Sequence, residues 1–353
     1  PHLIDFRERI RVDGEMITRE AVLEFVDKYL EPSREIHPSF FELTMMMAFD
    51  YFASRHVDVA VIETGLGGRL DSTNIITPRA CVITNISYDH MAQLGHTLTS
   101  IAHEKAGIIK SGIPVVIGEA EGDVRRVFEE KAREESAPIY FAQESDVLTS
   151  CRPDENGQWA IDSRDYGYLT YELGGLCQEK NAATILCALR ILRQQGFAIT
   201  PEAVKEGFAH VTTLTSLQGR WQKVGSLPPA YCDTGHNTGG FRYISQQLAG
   251  IKCRTLRIVF GMVNDKDISG VLSMLPREAV YYFTQASIPR AMPASVMRDK
   301  AAEAGLKGDV YDSVPEAYRA ALHDSSDDDF VFIGGSSFVV ADLLAFLGAN
   351  IKN

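Results

Sequence analysis

Short apolar runs of strand length recur along this chain with amphipathic helical stretches between them. That alternation constrains the fold more than any other feature. Val57-Asp-Val-Ala-Val-Ile62, Ala80-Cys-Val-Ile-Thr84 and Pro114-Val-Val-Ile117 are β-branched and apolar nearly throughout, the pattern of strands buried on both faces of a parallel sheet. Val22, Phe25, Val26, Tyr29 and Leu30 form a helical stripe at i, i+3, i+4, i+7 and i+8. Ser39-Phe-Phe-Glu42 reads as a capping box opening a helix to about Arg55. A further helix is expected over Gln178 to Gln195, closed by Gly196.

From about Ala230 the alternation restarts, with strand candidates at Ala230–Cys232, Leu256–Phe260, Val280–Thr284, Asp309–Tyr311 and Phe330–Ile333. Repeated β-then-α order predicts an α/β fold of two doubly wound domains. The break is placed in Gly225-Ser-Leu-Pro-Pro229, giving domains over 1–224 and 230–353 with a linker at 225–229. The polar stretch from Ser150 to Gly175 is expected to hold a β-hairpin or loops.

Composition narrows the class. The 353 residues carry 35 Lys+Arg and 47 Asp+Glu, a formal net charge of −12, and a general nucleic-acid binder normally shows a basic face instead. No apolar run approaches the ~20 residues needed to span a bilayer. The six cysteines are scattered without a C-x-x-C pair, which predicts reduced thiols and a cytoplasmic setting. A monomer is expected.

Ligands of open α/β sheets bind beyond the carboxyl ends of the strands. One such end delivers Glu63 and then Thr64-Gly-Leu-Gly-Gly-Arg-Leu-Asp-Ser-Thr-Asn74; the next delivers Tyr88-Asp89-His90. Gly65-x-Gly67 is a weak dinucleotide signal, because Leu70 stands where a third glycine is expected. Glu63 and His90 can share a Mg²⁺ alongside phosphate, or Glu63 caps a loop and His90 fixes a turn. Lys105 lies on a helix among small and apolar neighbours; a buried ammonium there is costly unless paired or neutralised. Arg220 can clamp a phosphate, with Asp233, His236 and Asn237 facing it, or each makes ordinary turn hydrogen bonds. Ser336 and Ser337 sit at a helix N-terminus, which suits an anion or simple capping.

Together these segments resemble the folylpolyglutamate synthase branch of the Mur ligase superfamily. The resemblance rests on Pro1-His-Leu with Phe6-Arg-Glu-Arg-Ile-Arg11, Glu63-Thr-Gly-Leu-Gly-Gly-Arg-Leu-Asp71, Asp89-His90 and Glu104-Lys-Ala-Gly-Ile-Ile-Lys110, then Gly219-Arg220, Asp233-x-Gly-His-Asn237 and Gly261-Met with Asp265-Lys-Asp267. It implies a central ATPase domain and a smaller Rossmann-like glutamate-ligase domain. The implied activity is ATP- and Mg²⁺-dependent joining of L-glutamate to the carboxylate of a folate through an acyl phosphate, either polyglutamylation of tetrahydrofolate or conversion of dihydropteroate to dihydrofolate. By the same resemblance Glu63 and His90 hold Mg²⁺, and Lys105 is carried as a carbamate. Asn181, Arg220 and Asp233 contact ATP. Ser39, Phe40, Phe41, Glu42, Leu70, Asp71 and Ser72 hold the pteroate portion. His236, Asn237 and Ser337 face the incoming glutamate, with His90, Asp233 and His236 beside the reacting groups.

Two departures stand out. The family's G-x-x-x-x-G-K-[ST] loop has no counterpart, since the chain holds no Gly-Lys dipeptide, and Cys177 replaces a frequent His before Gln178. The start at Pro1, without an initiator Met, is read as truncation by roughly 50 to 80 residues, the length of one or two βα units. The chain as written is therefore expected to lack ligase activity. A Mur-type ligase acting on a cell-wall precursor, or a non-catalytic folate-binding homologue, are the alternatives.

Overall fold

Apolar periodicity and side-chain caps decide where the first elements begin. A computed structural model describes residues 2–153, 158–264 and 267–351; Pro1, Asp265 and Lys266 of the quoted motifs lie outside them. A small hairpin, β1 (Arg11–Val12) with β2 (Glu15–Met16), leads into α1 (Arg19–Tyr29), where the Ala21 N–H donates to Thr18 Oγ1 at 3.1 Å. The predicted capping box opens α2 (Phe40–Ser54): the Glu42 N–H donates to Ser39 Oγ at 3.2 Å, and the Ser39 N–H to Glu42 Oε2 at 2.6 Å. Phe25 and Met47 meet Ile10 and Ile17 in a local core.

The predicted strand at 57–62 does not form. Among the described residues the segment belongs to no β-ladder, and Val61 is 93% exposed. A strand is defined by its hydrogen-bonded neighbour, and β-branched composition alone does not supply one.

The first sheet is parallel: β3 (Cys81–Ile83), β4 (Val115–Ile117) and β5 (Ile139–Phe141) in that order. Between them run α3 (Met91–Leu94), α4 (Leu98–Ala106) and α5 (Gly122–Glu134). Val115 and Ile117 pack with Ala102, Ala106 and Phe128 on one face. Val116 joins the opposite face, as the two-residue period of a strand demands. Burying each such side chain stabilises the fold by about 1.5–3 kcal/mol.

The polar stretch is an antiparallel sheet of β6 (Leu148–Pro153), β7 (Trp159–Ser163) and β8 (Gly167–Tyr171). It covers α6 (Gln178–Gln194) through Ile161, Leu169 and Leu186, and Gly196 ends that helix in the left-handed region at φ +92°. Two further helices follow, α7 (Pro201–Ala209) and α8 (Val211–Thr215).

The last sheet has six strands. In chain order they are β9 (Gln222–Ser226), β10 (Pro229–Asp233), β11 (Leu256–Phe260), β12 (Val280–Phe283), β13 (Gly308–Val310) and β14 (Phe330–Gly334). They lie in the order β13-β12-β11-β14-β10-β9, all parallel but β9. Phe330 and Phe332 face α9 (Thr238–Ala249), α10 (Ile268–Leu272) and α11 (Ala294–Glu303). Val331 and Ile333 face α12 (Val314–His323) and α13 (Ser337–Ile351). Helices on both faces make this unit doubly wound. Just before the interior strand β14, Asp329, whose side chain is wholly withdrawn from water, accepts from Arg254 Nε and Arg257 Nε, each at 3.0 Å.

The proposed linker is corrected here. Residues 225–229 join β9 to β10, and the two strands pair antiparallel in the same sheet, so the break between units precedes β9. Prolines at a hairpin turn mimic a linker in sequence. All six cysteines are free thiols.

Candidate active site

The loop after Glu63 is shaped by one carboxylate. Asp71 Oδ2 accepts the N–H groups of Gly65 (2.9 Å) and Leu66 (2.8 Å), while Oδ1 accepts the Thr73 N–H (2.9 Å) and hydroxyl (2.6 Å). Asp71 thus holds its own loop. The glycines let the loop press onto the C-terminal end of α4. A Cβ on Gly68 would stand 2.9 Å from the Glu104 carbonyl oxygen and 3.0 Å from that of Lys105. Gly67, at φ +67°, turns against Leu94. This packing accounts for the glycine run without a dinucleotide.

Lys105 projects from α4 into a cavity of about 680 Å³ whose lining also includes Glu63, His90, Phe41, His236 and Asn237. Burial lowers the Lys105 ammonium below its ordinary value, and the Asp89 carboxylate opposes that shift. His90 sits at the start of α3 in the left-handed region, φ +48°, an uncommon conformation for a residue with a Cβ. Its N–H donates to Asp89 Oδ1 at 2.9 Å.

The second unit reaches this cavity from the carboxyl end of β10. Asn237 caps α9 by accepting the Gly240 N–H at 2.9 Å, and its Nδ2 donates to Asp89 Oδ2 at 3.0 Å. His236 Nε2 lies 3.4 Å from the same oxygen, and His236 Nδ1 lies 3.1 Å from the Thr234 carbonyl oxygen.

Arg220 and Asp233 form a neighbouring cluster outside the lining of that cavity. Asp233 accepts the Trp221 N–H and the Gly235 N–H, both at 2.8 Å. Burial raises the Asp233 carboxyl, and those two backbone donors, then Arg220 and His236, oppose the shift. The Arg220 guanidinium donates to the Thr234 hydroxyl. Cys177 is close enough to feel Asp233, and burial first, then that carboxylate, pushes its thiol up to about 11. Such a thiol stays protonated and unreactive near neutral pH.

The remaining candidates are dispersed. Ser39 and Glu42 are spent on the capping box. Phe40, 65% exposed, lies against Phe6 with ring centroids 5.6 Å apart, and Leu70 is 79% exposed. Ser72 opens a short turn after Asp71. Asn181 Nδ2 donates to Gln178 Oε1 at 3.0 Å. At α13 the buried Ser336 caps the helix by accepting the Phe338 N–H at 3.1 Å, with Ser337 its first residue. Of the proposed set, the structure gathers Glu63, His90, Lys105, Phe41, His236 and Asn237.

The sequence reading assigned no role to Asp89, Glu119 or Tyr243. Tyr243 of α9 donates to Glu119 Oε1 at 3.0 Å, a second bridge between the units, and burial first, then that carboxylate, pushes its hydroxyl up to about 12. The Leu176 N–H donates to Gln247 Oε1 at 2.9 Å as a third. The Asp89-His90 motif quoted for the resemblance was a signal pointing to Asp89; the Tyr243 contact has none, since its partners are 124 residues apart.

Glu63 and His90 offer one carboxylate and one imidazole, and the described residues contain no group of three His, Cys, Asp or Glu able to hold a metal. Two protein donors opening onto a cavity fit Mg²⁺, which keeps waters and takes phosphate oxygens for its remaining positions.

Residues 21–164 match the Mur ligase middle domain, and residues 219–337 match the glutamate ligase domain of Mur ligases. A folylpolyglutamate synthase from Lacticaseibacillus casei is 31% identical over 99% of this chain and 83% of its own length. The solved structure of E. coli FolC in complex with DHPP and ADP is similar at a TM-score of 0.86 and 30% identity, over 99% of this chain and 81% of that one. A bifunctional folylpolyglutamate synthase/dihydrofolate synthase solved with Mn, AMPPNP and L-glutamate bound is similar at a TM-score of 0.80 and 31% identity, over 99% of this chain and 81% of that one.

Proposed function

The chain belongs to the folylpolyglutamate synthase/dihydrofolate synthase family of Mur-type ligases, and from that premise we propose how its residues divide the work. The reaction is ATP-dependent ligation of L-glutamate to the carboxylate of a folate. Phosphoryl transfer from ATP would convert this carboxylate to an acyl phosphate with release of ADP; the glutamate amine would then attack the acyl carbon, forming the amide and expelling inorganic phosphate. Such chemistry needs charge neutralisation and positioning more than a protein nucleophile.

Glu63 and His90 would hold the metal. Lys105 would act as a carbamate: burial favours its neutral amine, the form that adds carbon dioxide, and the product is an anion suited to a metal site. Arg220 would meet phosphate, with Asp233 fixing the turn that presents it and Asn181 on the nucleotide side. Phe41, packed against Gly65, would carry the pteroate contact, and Ser39, Glu42, Leu70, Asp71 and Ser72 would shape that side indirectly. His236 and Asn237 would orient glutamate beside His90, with Ser337 at the α13 N-terminus nearby in the same unit.

One observation carries this assignment. Residues from the middle domain (Glu63, His90, Lys105) and from the glutamate ligase domain (His236, Asn237) line one cavity, so activated acid and amine can be held together. No helix among the described residues is long and apolar enough to cross a membrane; separately, the six free thiols support the cytoplasmic setting proposed here. The test is ADP release by the complete gene product with ATP, Mg²⁺, L-glutamate and either tetrahydrofolate or dihydropteroate. Release that does not require glutamate, or none with either acid, defeats the reading.

A further inference from the structure

One carboxylate, that of Asp89, contacts both halves of this cavity. Asp89, from the segment after β3, presents Oδ1 to its own unit, accepting the His90 N–H at 2.9 Å and lying 3.8 Å from His90 Nε2. It presents Oδ2 to the other unit, accepting from Asn237 Nδ2 at 3.0 Å and lying 3.4 Å from His236 Nε2. Close packing flanks the contact, since a Cβ on Gly239 would stand 2.6 Å from the Ser87 side chain. We propose that Asp89 is a positioning residue that locks the glutamate-side loop 234–237 against the metal-side segment 87–94, so that glutamate is oriented only when this carboxylate bridges both. The proposal deepens the ligase reading and rests on it for the activity readout.

The bridge has a direction that can be exchanged. Asn237→Asp keeps the α9 cap, because Asp caps as well as Asn. It replaces the donor facing Asp89 with a second carboxylate, and like charges in contact repel. Combining it with Asp89→Asn restores one donor and one acceptor in reversed order. Both variants and the pair are made in the complete gene product. The readouts are KM for L-glutamate, KM for ATP, and amide hydrogen exchange in 87–94 and 234–237. Asn237→Asp is expected to raise KM for glutamate about tenfold or more while changing KM for ATP less than about twofold, and to speed exchange in both segments. The pair is expected to recover most of both effects.

A pair no better than the worse single variant overturns the proposal. So does unchanged exchange in Asn237→Asp, or an Asp89→Asn variant whose KM for glutamate does not move. A wild-type protein without glutamate-dependent ADP release defeats the ligase reading instead, and the exchange data still judge the bridge.

Discussion

Arg69 grips Glu104 through both backbone and side chain. Its N–H donates to the Glu104 carbonyl oxygen at 2.8 Å, and its guanidinium holds Glu104 Oε1 at 2.8 and 3.1 Å. The grip fastens the glycine-rich loop to α4 one residue before Lys105. Asn74 adds a brace by donating to the Gly107 carbonyl oxygen at 3.0 Å. Loop and lysine are therefore one mechanical unit.

Gly68→Ala should break that unit, because the new methyl would meet backbone oxygens of Glu104 and Lys105 that cannot rotate away. A destabilisation of about 1–3 kcal/mol is expected, with turnover falling further as Lys105 is displaced. Gly207→Ala, on α7 with nothing within 4 Å of the added carbon, should instead stabilise by roughly 0.5–1 kcal/mol. Denaturant melts of the two variants, beside turnover, check the contrast.

Lys105→Ala should reduce glutamate-dependent ADP release by about 10²–10³, the scale of losing one preorganised electrostatic group. Added formate or acetate should restore part of it by occupying the vacated anionic position. Unchanged turnover would return Lys105 to an ordinary helical lysine.

Asp71→Ala removes the acceptor of the exposed Gly65 and Leu66 N–H groups, each bond contributing a net of about 0.5–1.5 kcal/mol because water can replace the lost partner. Faster amide exchange at these two residues and a higher KM for the folate substrate are expected. A rise in KM without faster exchange would mean that Asp71 meets the substrate directly.

Asp329→Ala should cost about 3–5 kcal/mol, the usual loss when one partner of a buried ionic cluster is removed. Its carboxyl is held well below the usual range, by Arg254 first and then by the Ser326 N–H and Arg257. A lowered carboxylate stabilises the fold above its unfolded value and loses that contribution as pH falls toward the folded one. Acid unfolding should therefore steepen below about pH 4 in the wild type, near an ordinary Asp. Asp329→Asn, less stable at neutral pH, should show less of that steepening.

The fold was legible wherever local chemistry decides. Ser39 and Glu42 cap α2 as their spacing requires, Gly196 ends α6, and the apolar runs of β11, β12 and β14 pair as parallel neighbours. Residues 57–62 misled because pairing depends on a neighbour that composition does not reveal. The hairpin of β9 and β10 misled because Gln222–Ser226 is polar and Gly-containing, as an edge strand can be, and its turn reads as a linker. In the site, residue types were legible but their division of labour was not. Asp71 and Ser39 serve their own backbone, whereas Asp89 works across 148 residues of chain.

The hairpin also decides what moves together. Gly219-Arg220-Trp221 enters β9 while Asp233-Thr-Gly-His-Asn237 leaves β10, and the Thr234 N–H to Gly219 carbonyl bond, 2.9 Å, stitches the two turns side by side. The Trp221 ring is wedged beneath them against Phe332, centroids 5.7 Å apart. If Arg220 holds the nucleotide as proposed, this bond couples that contact to the turn carrying His236 and Asn237. Under that assignment thermodynamic linkage would make the two ligands mutual effectors: whatever factor ATP adds to glutamate affinity, glutamate would return to ATP.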